Sequence, residues 1–194
     1  MLYLVRHGQT PYNAERRLQG QTDIPLSETG RGQARALGER LKNEGARFDA
    51  LYCSRLKRAR ETASIVGEYL GLEPKVIDGV EEIGFGRFEN HTFGECAALY
   101  PEAYADFLER GSDSDAHGGE TGRAVFSRAR SALLSLPEAE KGSALIVAHG
   151  AVIGFIRAFL DGAPFTNVSD YIPDNAEVIE LGEEDIEKLK EYSE

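Results

Sequence analysis

The chain has 194 residues, the length of one ordinary domain, and one this long buries roughly 70% of the surface its unfolded form exposes, so it needs no disulfide or metal staple. Its hydrophobic content of 41% is globular, and its formal net charge of −11 argues against nucleic-acid or anionic-membrane binding, which want an excess of Lys and Arg. Two cysteines, Cys53 and Cys96, form no C-x-x-C, the opening MLYLVRHG is too short for a signal peptide, and no apolar run nears the roughly 18 residues of a membrane span, so a cytoplasmic location is expected.

Residues 2–5 form an apolar run that stops at Arg6-His7-Gly8, which reads as a buried strand feeding a loop. Residues 8–26 are polar and punctuated by Pro11, Gly20 and Pro25; a loop this long inside a compact domain is usually functional. Ser27 is the expected N-cap of a helix with Glu28 in its first turn and Ala34, Leu37 and Leu41 on one face, ending near residues 43–45. Residues 50–53 read as a short strand, with Cys53 buried. Ser54 is expected to cap a helix carrying Arg55 and Arg58 in its first turn, an apolar stripe of Leu56, Ala59, Ala63, Val66 and Leu70, and Gly71 as its stop.

Residues 75–77 look like a further strand, followed by a glycine-rich loop over 82–94 and helical pieces over 92–99 and 101–110. Residues 111–119 are polar and expected to be a flexible loop. A helix with Val125, Ala129, Leu133 and Leu136 on one face ends at Pro137. Residues 144–148 are the strongest buried-strand signal, terminated by His149-Gly150 and followed by an apolar helix over 152–160. Residues 178–181 suggest a last strand, and 183–192 an acidic helix with Ile186 and Leu189 facing the protein. Alternating strands and helices imply an α/β fold, a three-layer α/β/α sandwich around a mostly parallel sheet.

In such sheets ligands bind at the carboxyl ends of the strands. Two strands here end in His-Gly, at His7-Gly8 and His149-Gly150, so the sheet brings two imidazoles to one edge. A glycine after each histidine is expected to let backbone approach a ligand closely. Arg6 adjoins His7, and the helix carrying Arg55 and Arg58 starts at the same edge. Helix N-termini favour anions, and arginines add bidentate donors matched to phosphate oxygens. A local arginine pocket holds phosphate even in an acidic protein, because salt screens charges beyond about 10 Å.

The segment Leu4-Val5-Arg6-His7-Gly8-Gln9-Thr10 with Asn13 resembles the signature of the histidine phosphatase superfamily, the phosphoglycerate mutase-like group with the R-H-G motif. The resemblance continues through residues 20–30 and through Ser54-Arg55-Leu56-Lys57-Arg58-Ala59 with Thr62. It then takes in residues 82–89, Gly118-Gly119-Glu120-Thr121 and Ala148-His149-Gly150. These blocks stand in family order over about residues 1–160. R-H-G alone is weak evidence; the ordered set is strong.

The resemblance implies roles residue by residue. His7 is the nucleophile that forms a phosphohistidine. Arg6, Arg58 and His149 hold the phosphoryl oxygens, and Asn13 assists. Glu82 protonates the leaving alkoxide and then activates water. Gln19, Gln21, Thr22 and Gly150 are expected to line the substrate site, with Arg87 and His91 shaping substrate choice. The chemistry suits these residue types: neutral imidazole is a good nucleophile, and phosphoryl transfer needs positioning and cationic stabilisation above all. Two arginines and a second histidine supply what Mg²⁺ supplies elsewhere, so no metal or cofactor is expected. A proton-donating glutamate calls for a raised pKa, expected from burial.

Two positions depart from the family pattern or compete within it. The loop after the acid often reads G-x-W-E-G; here it is Gly86-Arg87-Phe88-Glu89-Asn90, and Asn is among the residues that tolerate a left-handed backbone. Glu81 competes with Glu82, and its expected place is solvent. The family also divides into mutases and phosphatases. The resemblance implies that cofactor-dependent phosphoglycerate mutases carry an extra basic segment after the acid loop. Residues 92–121, the expected helical lid, hold only Arg110 as a basic residue besides His117, and His117 is expected to be exposed.

The expectation is therefore one domain over 1–194, with an acidic tail over 183–194, that hydrolyses a small phosphorylated metabolite. Neither nucleic acid nor membrane is an expected partner, and a homodimer is left open. The alternatives are a phosphoglycerate mutase, a zinc hydrolase using both histidines and Glu82, and an inactive phosphate-binding module.

Overall fold

The computed structural model describes residues 1–139 and 142–192, so the last two residues of the expected tail lie outside the described residues. Its sheet is built from β1 (Leu2–Arg6), β2 (Ala50–Cys53), β3 (Pro74–Val76), β4 (Ala144–Ala148) and β5 (Val178–Leu181), in the order β3-β2-β4-β1-β5. The pairs β1–β4, β2–β4 and β2–β3 are parallel; only β5 runs antiparallel, against β1. The helices are α1 (Pro11–Ala14), α2 (Glu28–Asn43), α3 (Lys57–Leu70), α4 (Phe93–Leu99), α5 (Pro101–Arg110), α6 (Gly122–Leu134), α7 (Gly150–Leu160) and α8 (Glu183–Glu191).

The strands alternate between two apolar layers because successive side chains point to opposite faces. Leu2, Leu4, Ala50, Tyr52, Ala144, Ile146 and Ala148 pack with Val125, Phe126 and Ala129 of α6, Ile153 and Ile156 of α7, and Ile186 and Leu189 of α8. Val5, Leu51, Cys53, Leu145 and Val147 pack with Leu37 and Leu41 of α2 and Ala59, Ala63 and Val66 of α3. These two layers make the expected three-layer sandwich. All five residues of β4 are buried, as a strand covered on both faces requires.

The connection from β1 to β2 runs over one face of the sheet through α2, and that from β4 to β5 over the other through α7. Between adjacent parallel strands whose connections leave to opposite faces, the carboxyl ends offer a ligand crevice. Close packing at that edge accounts for Gly8 and Gly30. A Cβ on Gly8 would overlap the carbonyl of Gly30, and one on Gly30 the carbonyl of Gln9, so the loop after His7 lies directly on the first turn of α2. Gly150 likewise packs inside the protein: its Cβ would stand 3.0 Å from Ile172 Cγ2 and 3.2 Å from Arg6 Nε.

Several local expectations are corrected. The helix after β2 starts at Lys57, with Leu56 as N-cap, and Ser54 Oγ merely accepts from Leu56 N at 3.3 Å. Arg55 therefore precedes the helix and pairs with Glu81 at 3.3 Å. Residues 111–119 are tied down rather than loose, because Ser114 is buried against Asp106 and His117 is 1% exposed. His117 stands among Phe85, Phe88 and Phe107, at 6.1, 5.3 and 6.0 Å between ring centres. Burial pushes its pKa down, and the neutral ring fits an aromatic cluster that also holds Cys96 and Ala103. Asn90 does adopt the left-handed backbone, with φ 68°.

Candidate active site

β1 and β4 are in register, with Arg6 opposite Ala148, so the residues after them emerge side by side. His7 N donates to Ala148 O at 3.1 Å, and the rings of His7 and His149 lie 5.1 Å apart. His7 Nδ1 stands 2.7 Å from Gly8 O. A carbonyl only accepts, so this contact assigns the proton to Nδ1 and makes Nε2 the unprotonated, accepting nitrogen. Arg58 Nε donates to that Nε2 at 3.2 Å. Burial drives the His7 pKa well below its ordinary value, and the Arg58 and Arg6 charges add to this against the Gly8 contact. His7 is therefore a neutral imidazole at pH 7, its unprotonated nitrogen held by an arginine.

Arg58 is fully buried. Its Nη1 and Nη2 donate to the carbonyls of Thr22 (2.8 Å) and Gly20 (2.7 Å), which clips the long loop after β1 onto α3. Burial lowers its pKa, opposed mainly by Glu82, Asp23 and Glu89. Arg6 Nη1 donates to Pro173 O at 2.7 Å, while its Nε is buried without a partner among the described residues. Both ring nitrogens of the fully buried His149 are likewise unpartnered. Its pKa is driven well down by burial first and by Arg58 next. Unpaired buried polar atoms cost about 1–3 kcal/mol each and are rare. Three nitrogens in this condition, beside two guanidinium groups, form a cradle suited to an oxyanion.

Glu82 borders this cradle. Its Oε1 accepts from Ile83 N at 3.0 Å, and its Oε2 accepts from Ala151 N at 3.4 Å. The second contact sets the carboxylate at the N-terminus of α7, two residues beyond His149. Glu81, expected in solvent, is buried: Gly79 N donates to its Oε2 at 2.8 Å, and Arg55 and Arg128 stand 3.3 and 3.9 Å away. Glu81 thus faces Arg128 of α6 and Glu82 faces the first turn of α7.

The remaining candidates divide by place. Asn13 Oδ1 accepts from Thr10 N at 3.0 Å in a capping box at α1, and Gln19 Oε1 accepts from Thr10 Oγ1 at 2.8 Å. Gln21 Nε2 donates to Glu82 O and to Glu120 Oε2, both at 3.3 Å. Thr22 holds Arg58 through its carbonyl and donates from Oγ1 to Glu89 Oε2 at 2.9 Å. Gly150 opens α7. Arg87 and His91 stand against Tyr100, at 5.8 and 5.9 Å from its ring.

Other residues at the edge were not singled out from sequence. Asn175 Nδ2 donates to His7 O at 2.8 Å, and Thr62 Oγ1 accepts from Gly8 N at 3.0 Å. Glu89 accepts from Gln21 N and Phe85 N. Glu120 and Arg128 pair at 2.8 Å behind Glu82. The blocks containing Thr62, Glu89 and Glu120 pointed to the region without giving these residues work. Nothing in the sequence around Asn175 or Arg128 marked them. Among the described residues, no group of three or more His, Cys, Asp or Glu is placed to hold a metal ion, and no helix is long and apolar enough to cross a membrane.

The sequence profile of the histidine phosphatase superfamily (branch 1) matches residues 2–191. The chain is 37% identical over 155 residues to phosphoglycerate mutase-like protein 4 of Arabidopsis thaliana, covering 78% of this chain and 67% of that protein. Among solved structures, a mycobacterial glucosyl-3-phosphoglycerate phosphatase in complex with VO3 superposes with a TM-score of 0.78 at 33% identity, over 91% of this chain and 88% of that one. A putative alpha-ribazole-5'-P phosphatase from Escherichia coli superposes with a TM-score of 0.81 at 28% identity, over 90% and 86%. A matching profile along almost the whole chain, with both histidines and both arginines meeting at the sheet edge, places this protein in branch 1 of the histidine phosphatase superfamily.

Proposed function

We propose that this chain is a phosphoric monoester hydrolase that acts through a phosphohistidine at His7 Nε2 on a small phosphorylated metabolite. The carrying observation is the pairing of a neutral, Nδ1-protonated His7 with a cradle of unpartnered nitrogens on Arg6 and His149. In the first step Nε2 attacks phosphorus as the P–O bond to the leaving oxygen breaks, and the proton of the Glu82 carboxyl passes to that oxygen. In the second step water attacks phosphorus, the P–N bond breaks, and the water proton returns to Glu82. Arg6, Arg58 and His149 hold the equatorial oxygens. Asn13 assists them, Gln19, Gln21, Thr22 and Gly150 line the substrate site, and Arg87 and His91, in the loop that precedes the 92–121 lid, shape substrate choice. We read residues 1–194 as one domain.

Hydrolysis is favoured over mutase activity by what the lid does with its cations. Arg110 is spent on Asp106 and Asp115, at 3.6 and 3.7 Å, and on the carbonyl of Asp113. His117 is buried in the lid's own aromatic cluster. Neither is left to clamp a second anionic group. A panel of phosphomonoesters, read by released phosphate beside a 3-phosphoglycerate isomerisation assay, tests this reading. Phosphate release in excess of isomerisation, unchanged by EDTA and blocked by vanadate, is expected. Efficient isomerisation stimulated by 2,3-bisphosphoglycerate would contradict it, as would EDTA loss restored by zinc.

A further inference from the structure

Residues 77–85 carry neither helix nor strand, yet this stretch must hold a carboxyl group in line with a leaving oxygen. Arg128, on α6, is bonded through every donor of its guanidinium. Nε donates to Glu120 Oε1 (2.8 Å). Nη1 donates to the carbonyls of Gly79 (2.8 Å) and Glu81 (2.7 Å). Nη2 donates to the carbonyl of Glu82 (3.1 Å) and to Glu120 Oε2 (2.9 Å). An arginine offers five such donors, and three of them end on the peptides around Glu82. Glu120 completes the frame from the other side, accepting from Gly84 N at 2.8 Å and from Gln21 Nε2, which also reaches Glu82 O. The opposite face of α6 is locked into the core through Val125, Phe126 and Ala129, so the frame is anchored on a rigid element.

We infer that Arg128 and Glu120 are positioning residues that fix the Glu82 carboxyl against the leaving-group oxygen. Neither touches the His7 imidazole in the described structure; both act through the backbone on either side of Glu82. The inference rests on the reading of Glu82 as the proton donor. Val80 and Ile83 anchor the segment in the core, but the peptides on either side of Glu82 take their orientation from these hydrogen bonds; a displacement of about 1 Å in a catalytic group when one is lost costs on the order of a hundredfold in rate. Such drift affects only the steps that need the proton.

Leaving-group chemistry isolates that effect. The nitrophenolate ion of p-nitrophenyl phosphate departs without a proton, whereas the alkoxide of p-nitrobenzyl phosphate, one methylene longer, requires one. The value of kcat/KM covers binding through departure of the leaving group, so the benzyl-to-phenyl ratio of kcat/KM reports proton donation. This ratio does not depend on the fraction of enzyme folded, so a destabilised variant remains informative.

Arg128→Lys and Glu120→Gln are expected to lower the ratio by about tenfold or more, and Glu82→Gln by more still, within the hundredfold-or-greater range of general acid catalysis. Arg128→Lys added to Glu82→Gln should lower it no further, because the two act through one group. An unchanged ratio in both frame variants, with a lowered ratio in Glu82→Gln, would overturn the positioning role and leave the acid in place. An unchanged ratio in Glu82→Gln itself would overturn the acid reading and, with it, this inference.

Discussion

At the carboxyl edge of the sheet, Arg6 Nε and both nitrogens of His149 are buried without partners, and Arg58 lies wholly inside the protein with no carboxylate bonded to it. In the 92–121 segment the one arginine is paired: Arg110 lies near two aspartates, Glu95 takes Arg17 in two hydrogen bonds, and the one histidine is neutral among aromatic rings. The edge keeps three unpartnered nitrogens beside two guanidinium groups, whereas the 92–121 segment leaves only the uncharged Ser112 hydroxyl buried without a partner among the described residues. On the proposed reading, this difference goes with chemistry at the edge and a covering role for the 92–121 segment. It is also how a protein of net charge −11 would hold an anion: the two guanidinium groups at the edge are close together, one buried and one partly buried, where screening is weak.

The largest effect is expected at the nucleophile. His7→Ala should lower turnover by at least about 10⁴-fold, as loss of a nucleophile does elsewhere, with thermal unfolding nearly unchanged. Residual activity of more than a few per cent would remove the edge's claim to the chemistry. Arg58→Lys comes next. A lysine cannot reach the Gly20 and Thr22 carbonyls and His7 in one plane, so kcat should fall by about 10²–10³-fold, with a lower melting temperature as the loop over residues 8–26 loosens. A kcat near that of the unaltered enzyme would show that the buried guanidinium is structural only.

A third test uses pH. The pKa values of His7 and His149 are lowered in the fold, mainly by burial. The unfolded chain therefore binds protons that the folded chain refuses. The stability these groups contribute is fully present above the ordinary histidine pKa of about 6.5 and is lost as pH falls from there toward their folded values. The loss is at most about 1.4 kcal/mol per pH unit for each group. The pKa of His117 is lowered as well, so edge and lid both contribute to this slope. Saturating inorganic phosphate should flatten the edge's share by giving protonated His7 and His149 a counter-charge. Melting curves between pH 7 and 5 check this: a slope unaffected by phosphate would mean that the cradle does not take the anion. The smallest effect is expected at Arg110→Ala, which should change kcat/KM by less than about twofold because exposed ion pairs contribute little. A large rise in KM for a doubly anionic substrate would show that the lid clamps substrate after all.

Much of this arrangement is legible in the sequence. The apolar runs before His7 and His149 mark the two strand ends, and the spacing from Ser54 to Thr62 places Arg58 on a helix opening at the same edge. The rest depends on contacts between distant segments. His117 sits among Gly, Ser and Asp, the composition of an exposed loop, and is buried because Phe85, Phe88 and Phe107 converge on it. Which of Glu81 and Glu82 faces the site is a matter of backbone direction in an irregular segment, which no local propensity encodes. Arg128 reads as an ordinary polar position on an amphipathic helix until the loop over residues 77–85 is folded against it. The close packing of Gly8 on Gly30 and of Gly150 on Ile172 likewise joins segments far apart in the chain.

The most direct test of the central claim is to capture the intermediate. Glu82→Gln enzyme, slow in both protonation and water activation, is mixed with p-nitrophenyl phosphate, quenched in alkali and digested for mass spectrometry. The account predicts one phosphoryl group per chain on the peptide containing His7, stable in alkali, lost in acid and absent when His7 is also replaced by Ala. Burst release of nitrophenolate with no phosphorylated His7, or a phosphoryl group on any other residue, would contradict it.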